Sequence, residues 1–292
     1  MFKTIVLATD LSPASNALVE CVIGLKRLGV KKVFLTYALG IRYLDDLKYL
    51  VASKVEPFLL EQKKKLVAQG LDAAIELAPG VPSEEIHRVA EQKDASLIVI
   101  GSHGESMAEH VLFKFGGIAS EVLHSFTRPL LLVKTRVVKN AGETCVEATC
   151  SDYLKNILYC TDFSDTAQRA FDYVEKMVES GCPSVTIMHV QDKTKIDKYL
   201  ARKLSDFNKI DAERIDMLRE RLAKKGAARI QVKIPYGIPT AEILNEAAAG
   251  DYSLIVMGSQ GKGYVREIFL GSVSHNMARH AGVSLLLIPA VR

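Results

Sequence analysis

Three glycines at a fixed spacing follow an apolar run in the second half of the chain. Gly258 and Gly261 come directly after the run 253–257, and Gly271 stands further along, immediately before Ser272. Glycine lets backbone N–H groups approach an anion closely, and the N-terminus of a following helix adds a partial positive charge and unpaired donors. The order of strand, glycine loop and helix therefore predicts a site that holds phosphate groups.

Polar and basic side chains near these glycines extend the prediction. The hydroxyls of Ser272 and Ser274 are expected to reinforce the backbone donors at the helix start. Lys262 and Arg266 either neutralise phosphate charge from the rim of the loop or are solvated surface residues. The alternative for the whole loop is a set of tight turns without a ligand, and the regular spacing favours phosphate binding.

A threonine and an aspartate end an earlier apolar strand. Thr161 and Asp162 follow the run 156–160. A carboxylate at this position can accept hydrogen bonds from a ribose or an adenine edge, or hold a metal-bound water. The alternative is that Asp162 only caps a turn or a helix.

The first half of the chain is an imperfect copy of the second. The strand that ends at Asp162 recurs as a strand that ends at Asp10, and the glycine loop recurs at Gly101 and Gly104. The duplication predicts two domains of the same fold in tandem. We expect a first domain over 1–138, a linker over 139–151 and a second domain over 152–292.

Strands and helices alternate within each half, with five strands and four helices expected in each. Ser12 and Ser164 are expected N-caps, and Gly70 and Gly226 are expected to close long charged helices. Alternation implies parallel strands joined by right-handed crossovers. The expected fold is α/β, with two tandem doubly wound parallel five-stranded sheets of strand order 3-2-1-4-5.

This topology brings the two motifs of the second half together. In a doubly wound sheet, ligands bind at the carboxyl ends of the strands that flank the switch point. In the order 3-2-1-4-5 these are strand 1, which ends at Asp162, and strand 4, which ends at Gly258. Both motifs are therefore expected in one crevice.

Composition excludes several classes of protein. The chain has 292 residues, of which 48% are hydrophobic and 25% charged, with a net charge of +4. The basic residues are scattered, so nucleic acid is not an expected partner. The longest apolar runs have the length of strands, and Met1 leads into a strand instead of a signal sequence, so we expect no membrane span and a cytoplasmic location.

Five cysteines form no evident framework. Cys21 in a predicted helix and Cys160 in a predicted strand are expected to be reduced thiols. Cys145 and Cys150 lie in the predicted linker as unpaired thiols, with a redox bridge or a metal pair as the alternative. Because no histidine accompanies them to complete a zinc site, no protein metal site is predicted.

Enzyme motifs are absent from the sequence. The spacing from Gly258 to Lys262 is not that of a P-loop, and a glycine loop after strand 4 is not a dinucleotide fingerprint. His103, His275 and His280 have no matching nucleophile motif and are expected to be structural. A binding module is therefore favoured, with slow ATP hydrolysis or a nucleotide-independent interaction scaffold as alternatives.

The second-half loop resembles the G-x2-G-x9-G-[ST] signature of the universal stress protein family, in the segment from Gly258 to Ser272. Asp162, Val190 and Gly237-x-Pro239 are similar to that family as well. The resemblance implies an adenine-nucleotide α-hydrolase-like fold that binds ATP or AMP in stress response or signalling, and it leaves open whether Mg²⁺ or Mn²⁺ accompanies the nucleotide. It places Val190 near the adenine, Asp162 near the ribose or base, and the loop around the phosphates. It also implies a tandem pair that imitates the family's usual homodimer, with pairing of whole chains left open.

The first half departs from the signature. Eleven residues instead of nine separate Gly104 from Gly116, Gly117 replaces the first loop serine, and Ala119 replaces the second. Glu105 and Glu109 place negative charge where phosphates would lie. We expect the second half to bind nucleotide more tightly. The weaker first-half site would comprise Asp10, Ala38, Gly101, Gly104, Gly116 and Gly117.

Overall fold

A computed structural model describes residues 1–40, 45–102, 117–140, 143–148, 152–199, 204–262 and 270–290. The chain divides into two compact units, Met1–Ser151 and Asp152–Arg292. Among the described residues, no helix combines the length and the hydropathy that a membrane crossing requires.

The first unit has a parallel sheet in the order β3-β2-β1-β4-β5. Helices connect its strands, and a 3₁₀ helix, Val22–Leu28, extends the first of them. The elements are β1 (Thr4–Ala8), α1 (Pro13–Cys21), β2 (Lys32–Ala38), α2 (Asp45–Ala68), β3 (Asp72–Ala78), α3 (Pro82–Gln92), β4 (Leu97–Gly101), α4 (Gly117–Ser125), β5 (Leu130–Val133), β6 (Thr135–Asn140) and β7 (Glu143–Ala148).

The second unit repeats this arrangement, with a parallel sheet in the order β11-β9-β8-β13-β14. Its elements are β8 (Ile157–Cys160), α5 (Asp165–Glu179), β9 (Ser184–Met188), β10 (Gln191–Asp192), α6 (Lys193–Tyr199), α7 (Leu204–Lys224), β11 (Arg229–Lys233), β12 (Tyr236–Gly237), α8 (Pro239–Ala249), β13 (Leu254–Gly258), α9 (Ser272–His280) and β14 (Leu285–Ile288). The strand order 3-2-1-4-5 is thus confirmed in each unit.

The central strands are buried on both faces, as parallel sheets covered by helices require. Every residue of β8, β13 and β14 is buried. Against β8, helix α5 packs an apolar face in which Phe171 lies with its ring centroid 5.2 Å from that of Tyr159. This burial holds the carboxyl ends of β8 and β13 side by side.

Local signals at the helix ends behave as the sequence indicates. The Ser12 side chain caps α1 by accepting from the N–H of Ser15, and the Ser164 side chain caps α5. Gly70 and Gly226, just beyond α2 and α7, have φ values of +76° and +98°. A side chain is unfavourable in this left-handed region, so glycine is the residue that ends these helices.

The segment expected to be a linker is partly regular. Strands β6 and β7 pair antiparallel as a hairpin, with Val138 opposite Cys145. The hairpin belongs to the first compact unit, so the prediction of an irregular linker is wrong for this part of the segment. The β-branched residues Val137, Val138 and Val146 favour strand structure, and their alternation is short enough to pass for irregular sequence.

The cysteines differ from expectation at one position. Cys160 and Cys182 are free and buried, as expected for reduced thiols. Cys21, however, is disulfide-bonded, so the prediction of a reduced thiol is wrong there. Cys150 lies outside the described residues.

Candidate functional site

A cavity of about 730 Å³ opens at the carboxyl edge of the second sheet. It lies where β8 and β13 run side by side, with Cys160 paired to Met257. The two motifs that are far apart in sequence therefore meet at one place. Most of the residues predicted for the second-half site line this cavity: Thr161, Asp162, Val190, Gly258, Gly261, Lys262, Gly271, Ser272 and Ser274. Arg266 lies outside the described residues.

Asp162 ties the end of β8 to the glycine loop. Its Oδ1 accepts hydrogen bonds from the N–H of Ser164 at 3.0 Å and from the Ser164 hydroxyl at 2.5 Å. Its Oδ2 accepts from the N–H of Lys262 at 2.9 Å. The carboxylate thus caps a turn, which is the alternative role considered for it, and also holds the loop. Its contact with a ligand stays a prediction.

The glycines are required by close approaches. A Cβ on Gly258 would lie 2.8 Å from the Thr166 hydroxyl, and one on Gly271 would lie 3.3 Å from the carbonyl oxygen of Ser259. A Cβ on Gly261 would collide with Oδ2 of Asp162. The loop is therefore packed tightly against the end of β8 and the start of α5, and side chains at these positions would push it away.

Helix α9 begins at the cavity without a side-chain cap among the described residues, and Gly271 is its N-cap residue. The first N–H groups of a helix lack partners within the helix and favour an anion. Ser272 is exposed at this end. Ser274 is buried and donates its hydroxyl proton to the carbonyl oxygen of Gly258 at 2.9 Å. In this structure the hydroxyl proton of Ser274 therefore holds the loop, and donation from Ser274 to phosphate stays a prediction.

An apolar wall forms another part of the cavity. Val190 follows β9 and lies beside the short parallel pair of β10 and β12. Aliphatic side chains from four other segments join it, so the wall suits a flat apolar group such as a purine base. These side chains are Ile196, Ile210, Ile238, Ile243 and Met257.

Three buried polar residues in the cavity wall were not predicted. Asp211 on α7 accepts a hydrogen bond from Nε2 of Gln191 at 3.1 Å, and the same oxygen lies 3.4 Å from Nε2 of His189. The Nδ1 atom of His189 lies 2.8 Å from the carbonyl oxygen of Thr161. All three residues are less than a tenth exposed. This cluster connects α7 to the ends of β8 and β9.

Two cations of the cavity lining lie on one aromatic ring. The guanidinium carbon of Arg214 is 5.3 Å from the centroid of Phe163, and Nζ of Lys262 is 5.8 Å from it. Phe163 has a φ of +59°, which is unusual for a residue with a side chain. The turn after Asp162 thus presents a ring that holds two positive charges of the cavity lining.

Cys160, at the end of β8, has no features of a nucleophile. Burial raises the pKa of its thiol, and the charge of Glu246 raises it further. The thiol is therefore protonated at neutral pH, and the thiolate is the reactive form. Among the described residues, no group of three or more histidine, cysteine or acidic side chains is placed to hold a metal ion.

The first unit has related residues at the same edge of its own sheet. The described partners of Asp10 include the N–H of Ser12 at 3.1 Å and the hydroxyl of Ser15. Ala38 and Gly101 end β2 and β4, and Gly117 begins α4. Gly104, Gly116, His103, Glu105 and Glu109 lie outside the described residues.

The Universal stress protein family model matches residues 1–134 and 154–289 of the chain. A universal stress protein of Methanocaldococcus jannaschii is 31% identical over 152 residues, which cover 46% of this chain and 94% of that protein. One of Thermus aquaticus is 30% identical over 136 residues, which cover 46% of this chain and 98% of that protein. These relatives are about as long as one unit.

A solved structure extends the similarity to both units. The crystal structure of a universal stress protein from Archaeoglobus fulgidus matches 98% of this chain and 97% of its own, with a TM-score of 0.74 and 26% sequence identity. The tandem form is therefore shared with a solved member of the family.

Proposed function

The chain belongs to the universal stress protein family, and we propose that the cavity of its second unit binds an adenine nucleotide, ATP or AMP. The observation that carries the proposal is that an apolar wall and a helix start that no described side chain caps lie in one cavity. The wall matches the chemistry of a base, and the helix start matches that of phosphate groups.

The cavity has the size and charge that such a ligand requires. Its volume of about 730 Å³ lies within the usual range of small-molecule sites, roughly 300–1,000 Å³. Lys262 and Arg214 add positive charge to the dipole of α9. Asp162 is the acceptor available for ribose hydroxyls, although a ligand would have to share it with the N–H of Lys262.

Binding without rapid catalysis fits the residues better than an enzyme does. Hydrolysis of ATP needs a group that orients or deprotonates water, usually with a metal ion at the phosphates. The described part of the cavity has no group of three metal-ligand side chains, so Mg²⁺ or Mn²⁺ would be held largely by the phosphates themselves. The proposal includes a cytoplasmic location, where adenine nucleotides are abundant.

The test is isothermal titration of nucleotide-stripped protein with Mg-ATP and, separately, with AMP. We expect one site per chain, because the loop serines of the second unit are replaced by Gly117 and Ala119 in the first. Two equal sites per chain would contradict the assignment to the second unit. No binding of either nucleotide would overturn the function and favour an interaction scaffold.

A turnover assay on the same protein separates binding from hydrolysis. We expect release of phosphate from Mg-ATP to be negligible over the time in which binding is complete. If turnover is found, and Asp162→Ala abolishes it while nucleotide still binds, then a slow ATPase is the better description.

A further inference from the structure

Asp211 is a buried carboxylate in the wall of the cavity and is not part of the glycine-loop motif. It lies on α7 and is 9% exposed. The neighbouring residue Ile210 belongs to the apolar wall. A charged group in such surroundings is costly unless it is hydrogen-bonded.

One of the two oxygens of Asp211 is committed within the protein. Oδ2 accepts from the side-chain amide of Gln191 at 3.1 Å and faces Nε2 of His189 at 3.4 Å. The His189 ring is itself oriented, since its Nδ1 lies 2.8 Å from the carbonyl oxygen of Thr161, an atom that can only accept. The Gln191 amide therefore orients the carboxylate, and the His189 ring lies beside the same oxygen.

The other oxygen, Oδ1, has no hydrogen-bond partner among the described residues. It is a strong acceptor at the border of the apolar wall, where a base is expected to lie. Phosphate groups would be repelled by this carboxylate, so the ligand atom that suits it is a hydrogen-bond donor of the base or of the ribose.

We propose that Asp211 is a specificity-determining residue, with Oδ1 accepting a hydrogen bond from the exocyclic amino group of a 6-aminopurine. This rests on the proposed nucleotide-binding function and adds a reason for adenine to be selected. A 6-oxopurine would bring a carbonyl oxygen to the carboxylate oxygen, so two acceptors would meet without a proton between them. A buried polar group without a partner is what makes a site reject the wrong ligand.

The test compares Mg-ATP with Mg-ITP, which differs in having an oxo group in place of the 6-amino group. Wild-type protein is expected to bind ATP at least about tenfold more tightly, the value of one hydrogen bond to a charged group. Asp211→Asn is expected to bring the ratio of the two affinities close to one, because an amide can donate to the oxo group. Both ligands are measured on each variant, so a loss of folded protein cancels in the ratio.

Two further variants sharpen the result. Gln191→Leu removes the amide that orients Asp211 and is expected to lower the ratio part of the way. Asp216→Asn makes the same charge change on the same helix, at an exposed side chain outside the cavity lining, and is expected to leave the ratio unchanged.

The outcomes distinguish this inference from the function on which it rests. If wild-type protein binds neither nucleotide, the proposed function fails and Asp211 has no role in selection. If it binds ATP but Asp211→Asn leaves the ratio of ATP to ITP affinity unchanged, only the assignment of Asp211 is overturned. A third outcome would assign Oδ1 to the ribose instead of the base. In that case Asp211→Asn would lower the affinities for ATP and ITP equally, and the variant would no longer bind ATP more tightly than 2′-deoxy-ATP.

Discussion

The aspartates at the ends of the first strands, Asp10 and Asp162, have the same sequence context and different partners. In the first unit the Ser15 hydroxyl donates to Asp10. The matching residue of the second unit is Ala167, which has no hydroxyl, and one carboxylate oxygen of Asp162 accepts from the N–H of Lys262. A single serine-to-alanine difference thus removes a hydroxyl donor to the aspartate from the first turn of α5.

Helices α2 and α7, which occupy the same place in the two units, also carry different side chains at matching positions. Counted back from the glycines that end them, Val55 corresponds to Asp211, and Phe58 corresponds to Arg214. Phe58 is 60% exposed, whereas Asp211 and Arg214 both line the cavity. The same scaffold therefore supports a polar cavity wall in one unit and an apolar helix face in the other, and side chains outside the loop motif decide which.

The largest expected effect comes from Gly261→Ala. The added Cβ would meet Oδ2 of Asp162, so either the carboxylate or the loop must move and the bond to the N–H of Lys262 is lost. We expect nucleotide affinity to fall by about a hundredfold, as for overpacking of a well-packed contact. Isothermal titration with Mg-ATP measures it.

Gly117→Ala is a control in the first unit, since a Cβ there has no atom of the described residues within 4 Å. It is expected to leave the affinity unchanged. An equal loss of Mg-ATP affinity in Gly117→Ala and Gly261→Ala would show that the difference between the units does not concern nucleotide binding.

The next effect separates the two aspartates. Asp162→Ala removes the acceptor for the N–H groups of Ser164 and Lys262, and we expect about thirtyfold weaker binding of Mg-ATP. Asp10→Ala removes a comparable turn contact and is expected to leave that affinity unchanged. If Asp10→Ala weakens binding as much as Asp162→Ala, the two aspartates have the same role and nucleotide binding is not confined to the second unit.

A pH effect is expected from Lys134 in the first unit, which has no lysine counterpart in the second. Burial lowers the pKa of Lys134, just after β5, from 10.5 to about 8, whereas Pro289 follows the matching strand β14. Between pH 8 and 10.5 the unfolded chain retains the proton that the folded chain has lost, so the contribution of Lys134 to the free energy of unfolding rises with pH.

Comparison with Lys134→Met isolates this contribution. Chemical denaturation of both proteins at pH 7 and pH 10 should show a difference between them that changes by on the order of 2 kcal/mol. A difference that is independent of pH would mean that the amine is not desolvated in solution.

The smallest effect concerns the cations. Arg214→Ala removes the guanidinium from the ring of Phe163, and we expect about fivefold weaker binding of ATP, a smaller loss for AMP, and less dependence on salt. Arg219→Ala, an exposed position of the same helix that pairs with Asp216, is the control. Equal losses for ATP and AMP would argue that Arg214 does not act through phosphate charge.

Much of the fold could be predicted because it depends on local patterns. The apolar runs of β8 and β13, the caps Ser12 and Ser164, and the glycines at helix ends each act within a few residues. The hairpin of β6 and β7 was missed because its alternation is short. The sequence predicts a helix over α7. It does not indicate which face of that helix lines a cavity.

The sequence by itself determined the duplication, the order of elements and the positions of Asp162 and the glycines. These features depend on strand periodicity and on the strand–loop–helix pattern, which involve residues close together in the chain. Only the tertiary structure decided that Asp162 would hold the N–H of a residue 100 positions away. It also brought Asp211 and Arg214 to the cavity and turned the hydroxyl of Ser274 toward Gly258. Such contacts depend on the rotation and distance of a helix against its sheet, which are set by packing among distant segments and leave no local periodicity to detect.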